Sequence, residues 1–392
     1  MTATQTEDRR TAPGGQGPCP RRACAPARAD DALDRLVAGL GPGPFALVLI
    51  FASPEADLES LTQTAQIAFP RTTICGCTTA GEITDAGYDS GQIVAFAFPQ
   101  QGFEVEALLI EGIEDLDTRA LIADLLRARQ SLARRGEGMP NEFALLLVDG
   151  LSGQEDALVA ALSGGLGPVP MVGGSAGDGN AFRRTLLSFN GKIHENAAVL
   201  CLMRGLCEVR TFSLDNTRPT EARMVVTRAD PRHRLVARIN DEPAAEEYAR
   251  LLGLMPEQLS PFVFAAHPVL VRAGGRHHVR AIQGVGPENS LIFFAAIDEG
   301  LVLTIADPAD IADHLEAELS SLSRIQPPSA ILGFDCFFRR IEAEGRQKVG
   351  QVSQILARHR VAGFSTYGEQ IGAMHVNQTM TGVAFYPPEP RR

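Results

Sequence analysis

Short, continuously apolar runs alternate with amphipathic segments along the first part of the chain. Residues 45–51 and 143–148 are apolar at every position, which is typical of central strands covered on both faces. Apolar residues at helical spacing predict helices in the same region, at residues 32–40, from Ser53-Pro54 to about Ala68, and at 118–134 and 154–162. Strands and helices that alternate in this way favour a mixed α/β domain.

The remaining apolar runs before residue 213 are strand-sized, and several follow one another without a helix. They predict strands at residues 72–77, 92–98, 103–109, 171–175, 185–189, 197–203 and 208–212. Asn190-Gly191 is a hairpin turn signal. The pattern therefore changes from helix–strand alternation toward hairpins as the chain proceeds.

The second half is richer in short strands. The pattern predicts strands at residues 224–228, 235–239, 263–265, 269–272, 278–282, 291–296, 301–305 and 330–334. Helices are predicted at residues 243–252, 308–324 and 348–358. The chain shows no internal repeat of fixed short period.

These patterns predict an α/β (mixed α+β) fold with two domains, each a mixed β-sheet flanked by helices. Residues 1–29 are rich in Pro, Gly, Ala, Arg and Thr without periodicity, which predicts a disordered tail. We place one domain at residues 30–217 and the other at residues 218–392, where the strand-rich block begins.

Composition excludes several classes of partner. The chain has 392 residues, a net charge of -11 and a sequence pI near 5.3, so neither a nucleic acid nor an anionic membrane surface is an expected partner. No apolar run approaches the roughly 18 residues that a membrane span needs, and no secretory signal precedes the first helix. The 7 cysteines are an odd number and show no C-x-x-C spacing of the kind found in zinc sites. This favours a reducing, cytoplasmic setting over a disulfide framework. The apolar sheets leave a homodimer possible, but nothing in the sequence demands one.

Residues 361–388 concentrate the chemically capable side chains. Two apolar runs, 361–364 and 379–386, predict strands, and the connection between them carries Tyr367, Glu369, Gln370, Met374, His375, Asn377 and Gln378. A polar, glycine-punctuated connection between core strands is a common place for binding residues. His375 lies among groups that can orient its ring, as an axial metal ligand requires, and a histidine bonded to nearby backbone explains the same pattern equally well.

Two other motifs carry glycines and small residues at the ends of predicted strands. Cys75–Ile83 reads CGCTTAGEI, and its cysteines are expected to be small buried residues rather than metal ligands. Gly173–Asp178 reads GGSAGD and satisfies the bare pattern of a nucleophile elbow around Ser175. Because the following Asp-Gly-Asn does not begin a helix, an esterase is disfavoured, and we expect no enzyme.

Together these motifs resemble the FIST family of sensory proteins, which join a FIST N and a FIST C domain. The matching stretches are CGCTTAGEI, GGSAGD, His267–Arg272 (HPVLVR), Val279–Ile282 (VRAI), Phe334–Arg340 (FDCFFRR), and GFSTYGEQ with HVNQT between Gly363 and Thr379. Within the family, the ending GEQIGAMHVNQTMTGVAFYPP is similar to the nitric-oxide-sensing haem protein (NosP-like) branch.

The resemblance to that branch implies a haem b cofactor, nitric oxide as the signal and regulation of a partner histidine kinase. His375 is then the predicted iron ligand, with His267 in reserve. Tyr367, Met374 and Phe364 are predicted to lie at the cofactor, and Arg272 or Arg280 is predicted to meet the haem propionates.

A second hypothesis is a haem-free FIST sensor of a small polar metabolite such as an amino acid, with Tyr367, Glu369 and Asn377 as direct ligands. A third, an enzyme that uses Ser175 or a cysteine, has the least support in the sequence. A Soret band that shifts with nitric oxide separates the first hypothesis from the second.

Overall fold

The computed structural model describes residues 17–273 and 275–388. Strands and helices of its first part run in the order β1 (Arg21–Pro26), α1 (Ala32–Leu40), β2 (Phe45–Ala52), α2 (Leu58–Ala68), β3 (Thr73–Thr78), β4 (Glu82–Thr84), β5 (Gly87–Asp89) and β6 (Gln92–Pro99). We call this stretch the first unit. Asp57 caps α2, because its side chain accepts a hydrogen bond from the Ser60 N–H.

The same order of elements recurs twice, except that the third unit has two helices where the others have one between their parallel strands. The second unit comprises β7 (Phe103–Glu111), α3 (Thr118–Arg135), β8 (Asn141–Val148), α4 (Glu155–Leu166), β9 (Met171–Ser175), β10 (Leu187–Phe189), β11 (Lys192–His194) and β12 (Ala197–Gly205). The third unit comprises β13 (Glu208–Leu214), α7 (Ile311–Leu322), β22 (Ala330–Cys336), α8 (Phe337–Gly345), α9 (Val349–Arg358), β23 (Val361–Thr366), β24 (Glu369–Ile371), β25 (Met374–Val376) and β26 (Met380–Tyr386).

A separate sheet interrupts the third unit between β13 and α7. It is built from β14 (Thr217–Asp230), β15 (Leu235–Ile239), β16 (Glu242–Pro243), β17 (Val269–Ala273), β18 (Arg276–Arg280), β19 (Ile282–Val285), β20 (Leu291–Phe293) and β21 (Val302–Pro308), with helices α5 (Ala244–Leu252) and α6 (Pro261–Ala266). We call this stretch the inserted sheet; it is antiparallel throughout and has its own apolar core.

Each unit forms a six-stranded sheet with one parallel pair at its centre. The sheets run β1-β6-β2-β3-β10-β11, β7-β12-β8-β9-β24-β25 and β13-β26-β22-β23-β4-β5. The last two strands of every sheet are a hairpin from another unit, so the hairpins are exchanged in a cycle around the three units. The units therefore close a ring by strand pairing, and strands from both halves of the chain share sheets.

The strand β1 completes the sheet of the first unit as its edge strand. It pairs with β6 from Arg21↔Ala97 to Pro26↔Gln92, in the place that β7 and β13 take beside β12 and β26. The predicted disordered tail is therefore wrong for residues 17–29, while residues 1–16 lie outside the described residues. The sequence of β1, RRACAP, offers only alanine and one exposed cysteine as apolar residues, too weak a pattern for a strand prediction.

The inner faces of the three sheets share one apolar core, in which Phe51, Phe143 and Phe385 are fully buried. Each outer face has a second core beneath its own helices. The predicted mixed α/β fold class is confirmed. The domain boundary after residue 217 stays a prediction.

Most predicted elements occur within a few residues of their expected bounds, and α1, β9 and β15 match them. The predicted strand at 263–265 is wrong, because these residues lie in helix α6, with Pro261 in its first turn. Helix α2 begins at Leu58, not at Pro54, and helix α8 went unpredicted. Within the described residues, no helix has the length and apolar character that crossing a membrane requires.

Candidate functional site

Three turns follow the three parallel strand pairs and meet at one end of the ring. Their central residues are Ala80, Gly177 and Tyr367, which occupy equivalent positions in the three units. The backbone N–H groups of these residues donate in a cycle to Ser365 O at 2.9 Å, Thr78 O at 3.0 Å and Ser175 O at 3.3 Å respectively. Carboxyl ends of strands that converge from different sheets are a common place for ligands.

Each unit has a buried carboxylate near these turns: Glu82 and Glu369 lie in the first and third turns, and Asp149 follows β8 in the second unit. Glu82 Oε2 accepts the Gln92 N–H at 3.0 Å, Asp149 Oδ2 accepts the Asn196 N–H at 2.7 Å, and Glu369 Oε2 accepts the Thr379 N–H at 3.3 Å. In each unit the bond holds the first residues of the returning strand. A threonine hydroxyl also donates to each carboxylate: Thr79 to Glu82, Thr185 to Asp149 and Thr366 to Glu369.

Burial raises the pKa of two of these carboxyl groups above the usual value for glutamate. Desolvation raises the pKa of Glu82 to about 7 and that of Glu369 to about 8, against the hydrogen bonds from their threonines, which lower it. Glu369 is fully buried, so it holds its proton at neutral pH.

A cavity of about 470 Å³ opens beside the first of these turns. Its walls are largely aromatic and aliphatic, and they come from the first two units, the third unit and the inserted sheet: Ala80, Ser90, Gly179, Asn180, Phe182, Pro261, Phe262, Gln283, Phe337, Phe338, Arg340, Ile341 and Glu344. A volume of roughly 300–1,000 Å³ with a few polar groups is typical of small-molecule sites.

A smaller cavity of about 280 Å³ adjoins the first and shares Ala80, Ser90 and Gly179 with it. Three carboxylates line this end: Glu55, Glu82 and Asp178. We call the two cavities together the strand-end groove. One end of the groove is acidic, and the other is aromatic with the guanidinium of Arg340.

Tyr367 does not line the groove, but it contacts two residues that do, Asp178 and Phe182. Its hydroxyl donates to Asp178, whose carboxylate also accepts the backbone N–H groups of Phe182 at 2.8 Å and Arg184 at 2.9 Å. The ring of Phe182 stacks on Tyr367 with centroids 4.4 Å apart. The hydrogen bonds from Tyr367 and from the backbone lower the pKa of Asp178, although desolvation opposes them. Asp178 is therefore ionised at neutral pH.

His375 lies elsewhere, on the exchanged hairpin that packs against α4. Its side chain is buried, and desolvation lowers its pKa, so the imidazole is neutral. Four charged groups act on it: Glu155 and Asp156 on α4, and Arg234 and Arg280 on the inserted sheet. Arg234 pairs with Glu155 at 2.5 Å, which joins the two elements over the hairpin.

A side-chain amide lies within hydrogen-bonding distance of each ring nitrogen of His375. Gln370 Nε2 lies 3.3 Å from Nδ1, and Asn377 Nδ2 lies 3.5 Å from Nε2. Gln370 Oε1 and Asn377 Oδ1 have no partner among the described residues. A neutral imidazole carries one N–H, so one of these amides must turn its oxygen toward the ring to accept it.

Of the other residues predicted for the cofactor, Arg280 is among the charged groups that act on His375, whereas the rest lie in different surroundings. Phe364 packs in the central core against Phe51, with ring centroids 4.6 Å apart, and Met374 is 41% exposed. Arg272 is exposed and Arg280 half-buried. His267 is half-buried, and desolvation lowers its pKa; the charges that act on it, Asp307 and Arg346, differ from those around His375.

The residues around His375 do not fit a haem in this arrangement. Both ring nitrogens face amides, and a Cβ on Gly368 would overlap Cε1 of the ring, so backbone also closes that edge. Neither cavity of the strand-end groove is lined by His375 or His267. Within the described residues, no group of three or more His, Cys, Asp or Glu side chains could hold a metal ion.

Ser175 is also enclosed. Its side chain is fully buried, and its hydroxyl accepts a hydrogen bond from Gln370 Nε2 at 3.0 Å. A nucleophile elbow requires an exposed hydroxyl, and the hydroxyl of Ser175 is not exposed.

The sequence did not predict three of the groove residues as binding residues: Phe182, Phe337 and Arg340. Phe337 and Arg340 begin a helix that was not predicted, and Phe182 lies in the turn after GGSAGD. A signal was present in the sequence, since Thr79-Ala-Gly-Glu82 and Thr366-Tyr-Gly-Glu369 share the pattern T-x-G-E. That pattern marks two equivalent turns of one structural repeat.

A larger cavity, of about 720 Å³, lies on the inserted sheet away from these turns. Its walls are polar and include Arg228, Arg232 and Arg238, all of which are exposed side chains. It shares no lining residue with the strand-end groove.

Comparison with known proteins gives two family matches. A family model described as the FIST N domain matches residues 46–242, and one described as the FIST C domain matches residues 244–372. No curated protein matches the chain.

Proposed function

The chain belongs to the FIST family, whose domains are sensors in signal transduction, and on that premise we propose that it detects a small metabolite such as an amino acid in the strand-end groove. The observation that carries this proposal is the groove itself, a pair of joined cavities of about 470 and 280 Å³ at the carboxyl ends of the parallel strands.

The two ends of the groove suit the two ends of an amino acid. The acidic end, with Glu82 and the ionised Asp178, suits an ammonium group. The larger end suits an apolar side chain, because Phe182, Phe337 and Phe338 line it. An ammonium group near Glu82 also favours the ionised carboxylate, so binding lowers the pKa of Glu82 from about 7.

Arg340 suits a ligand carboxylate at the larger end. Its Nη1 donates to Asp89 O and its Nη2 to Ser90 Oγ, both at 2.7 Å, and these bonds hold the guanidinium at the groove wall. A guanidinium has five N–H donors, so this one keeps donors for a ligand.

Binding in the groove offers a route to a signal. Pro261, Phe262 and Gln283 belong to the inserted-sheet segment, whereas Ala80 and Gly179 belong to the ring. A ligand that contacts both parts favours the arrangement in which they lie together, by as much as its affinity differs between the two arrangements. We propose that the protein acts by this binding and not by catalysis.

The test is binding to each standard amino acid in turn, measured by thermal shift and then by calorimetry. Glu82→Gln is expected to weaken binding of the best amino acid by about tenfold or more, since a charge-assisted hydrogen bond contributes roughly 1.5–3 kcal/mol. Phe337→Ala is expected to weaken it by a similar factor.

Glu369→Gln is the matched control. Its carboxyl group holds the equivalent turn in the third unit but does not line the groove. Affinity within about twofold of the wild type is expected. Equal losses in Glu82→Gln and Glu369→Gln, or no binding of any amino acid by the wild type, would reject the proposal.

A second candidate is a haem b-binding sensor of nitric oxide that regulates a partner histidine kinase. The resemblance of residues 361–388 to the nitric-oxide-sensing branch supports it, as does the neutral imidazole of His375, which is the form that binds metals. It requires Gln370 or Asn377 to leave the ring, because both amides now face it.

The visible spectrum of the purified chain after addition of haem tests the second candidate. It predicts a Soret band that shifts with nitric oxide and is lost in His375→Ala, with His267→Ala as the control. A colourless protein after haem addition, or a spectrum unchanged in His375→Ala, would reject His375 as the ligand.

A further inference from the structure

Two thiols meet beside the edge strand β1. Cys19, just before the edge strand β1, lies with its Sγ 3.6 Å from Sγ of Cys207, in the connection between β12 and β13. Cys207 donates its thiol hydrogen to Cys19 and is buried, whereas Cys19 is half-buried. Solvent therefore reaches the pair through Cys19.

The surroundings hold this pair in place. Gln101 Nε2 donates to Gly17 O at 2.7 Å, and a Cβ on Gly102 would overlap the carbonyl of Pro18. The backbone around Cys19 is thus packed against the turn between the first and second units. Leu206, next to Cys207, donates its N–H to Gly102 O at 2.9 Å, so both cysteines are fixed to the same turn.

We propose that Cys19 and Cys207 are a thiol modification site, at which a hydroperoxide converts the pair into a disulfide that fastens strand β1 to the ring. β1 is an edge strand joined to the ring by its ladder with β6. A covalent bond from Cys19 to Cys207 fastens the start of this strand to the junction between the second and third units.

The chemistry balances with one peroxide. The Cys19 thiolate attacks the terminal oxygen of the hydroperoxide, and the O–O bond breaks. Cys19 becomes a sulfenic acid, and the other oxygen takes up a proton and leaves as an alcohol or, from hydrogen peroxide, as water. The Cys207 thiol then attacks the Cys19 sulfur, an S–S bond forms, and water leaves. The two thiols lose two electrons, which reduce the peroxide; a low-molecular-weight thiol reverses the change.

Electrostatics favours Cys19 as the attacking group. The hydrogen bond from Cys207 lowers the pKa of the Cys19 thiol, with a smaller contribution from Ser329, whereas the same contact and burial raise the pKa of Cys207. Since the thiolate is the nucleophile, the half-buried member of the pair is also the reactive one.

The chain contains its own control pair. Cys75 and Cys201 have their Sγ atoms 3.7 Å apart, but both are fully buried in the central core. The contact with Cys201 and burial raise the pKa of the Cys75 thiol. Proximity is the same in both pairs, so any difference in reactivity reports access and ionisation.

The experiment treats the full chain with hydrogen peroxide, alkylates free thiols and maps peptides without reduction. A Cys19–Cys207 linked peptide is expected, with Cys75 and Cys201 unmodified until the chain is unfolded. The melting temperature is expected to rise by about 5 °C on oxidation and to return on reduction, because a cross-link over a long loop restricts the unfolded chain.

Cys19→Ser and Cys207→Ala are expected to lose both the linked peptide and the temperature shift, whereas Cys24→Ser keeps both. If Cys207→Ala does not fold, Cys19→Ser at the half-buried position gives the same test. Oxidation of Cys19 without linkage to Cys207, linkage to Cys24, or simultaneous linkage of Cys75 and Cys201 would overturn the proposal.

Discussion

The first and third turns of the ring have the same local design and different surroundings. In both, a threonine hydroxyl and a backbone N–H hold a buried glutamate, Glu82 in one and Glu369 in the other. Glu82 lines the strand-end groove, whereas Glu369 lies beside Cys336 and Thr379 in the interior. The difference indicates that a binding site depends on what covers the turn, because the turn itself is the same.

The hairpins that follow these turns differ in the same way. Tyr88 and His375 occupy equivalent places, opposite Ile83 and Gln370 respectively. Tyr88 donates its hydroxyl to Asp335, and its ring packs in an apolar cluster. His375 faces two amides beneath α4 and the inserted sheet. One scaffold position therefore holds a phenol ring that donates to a carboxylate in one unit and an imidazole between two amides in another.

The largest expected effect is a difference between Glu82 and Glu369 in how the stability of the protein depends on pH. When the pKa of a carboxyl group is higher in the folded protein than in the unfolded chain, where it is about 4.3, the protonated group contributes to the stability of the folded state. This contribution is complete below about pH 4.3 and is lost as the pH rises through the pKa of the folded state. For Glu82 the loss ends near pH 7, and for Glu369 near pH 8. Each group is expected to lower the free energy of unfolding by about 1.4 kcal/mol per pH unit inside its window.

Denaturant unfolding between pH 5 and 8.5 measures this effect. Glu369→Gln is expected to reduce the downward slope over the whole range to pH 8, and Glu82→Gln only to pH 7. Between pH 7 and 8 the two variants should therefore differ. Identical profiles for the variants and the wild type would show that neither carboxyl group titrates in this range.

The sequence allows prediction of the separate elements better than of their assembly. Continuous apolar runs such as residues 45–51 identified the central strands, because burial on both faces leaves no polar position. The exchange of hairpins between units depends on pairing between distant strands such as β4 and β23. No local pattern specifies such pairing, so the ring could not be predicted.

The candidate site was predicted in part for the same reason. The small residues of CGCTTAGEI and GGSAGD indicated tight strand ends, and Ala80 and Asp178 of these motifs do border the groove. The aromatic wall comes from Phe182, Phe337 and Phe262, which lie in three different connections or helices. Only the fold brings them together, whereas the conspicuous polar run around His375 is packed in the interior.

A second prediction uses the glycine shared by the two turns. A Cβ at Gly368 would overlap the ring of His375, and one at Gly81 would overlap the guanidinium of Arg340. The buried ring cannot move aside, so Gly368→Ala is expected to cost about 1–3 kcal/mol of unfolding free energy. Gly81→Ala can displace the end of a long side chain, but its φ of 131° adds backbone strain.

The double variant Gly368→Ala/His375→Ala sharpens this prediction. Removing the ring leaves room for the new methyl group, so the double variant should be more stable than the sum of the two single changes predicts. The corresponding pair, Gly81→Ala/Arg340→Ala, is expected to show a smaller coupling, since backbone strain persists. Additive effects at Gly368 and His375 would mean that the ring already has space.

The smallest expected effect concerns the threonine of each turn. Thr366→Val and Thr79→Val keep the side-chain shape and remove the hydroxyl that donates to the glutamate. Thr366→Val is expected to cost about 1–2 kcal/mol, because Glu369 is fully buried and loses a partner that water cannot replace.

Glu82 also has no exposed surface, but it borders the groove and desolvation raises its pKa less than that of Glu369, so Thr79→Val should cost less than Thr366→Val. The hydroxyl also lowers the pKa of each glutamate, so both variants should shift the pH window of the corresponding wild-type group upward. Denaturant titration at pH 5 and pH 8 measures both effects. A larger cost for Thr79→Val than for Thr366→Val would mean that Glu82 is the more deeply enclosed of the two glutamates, and Glu82 could then not be a binding residue of the groove.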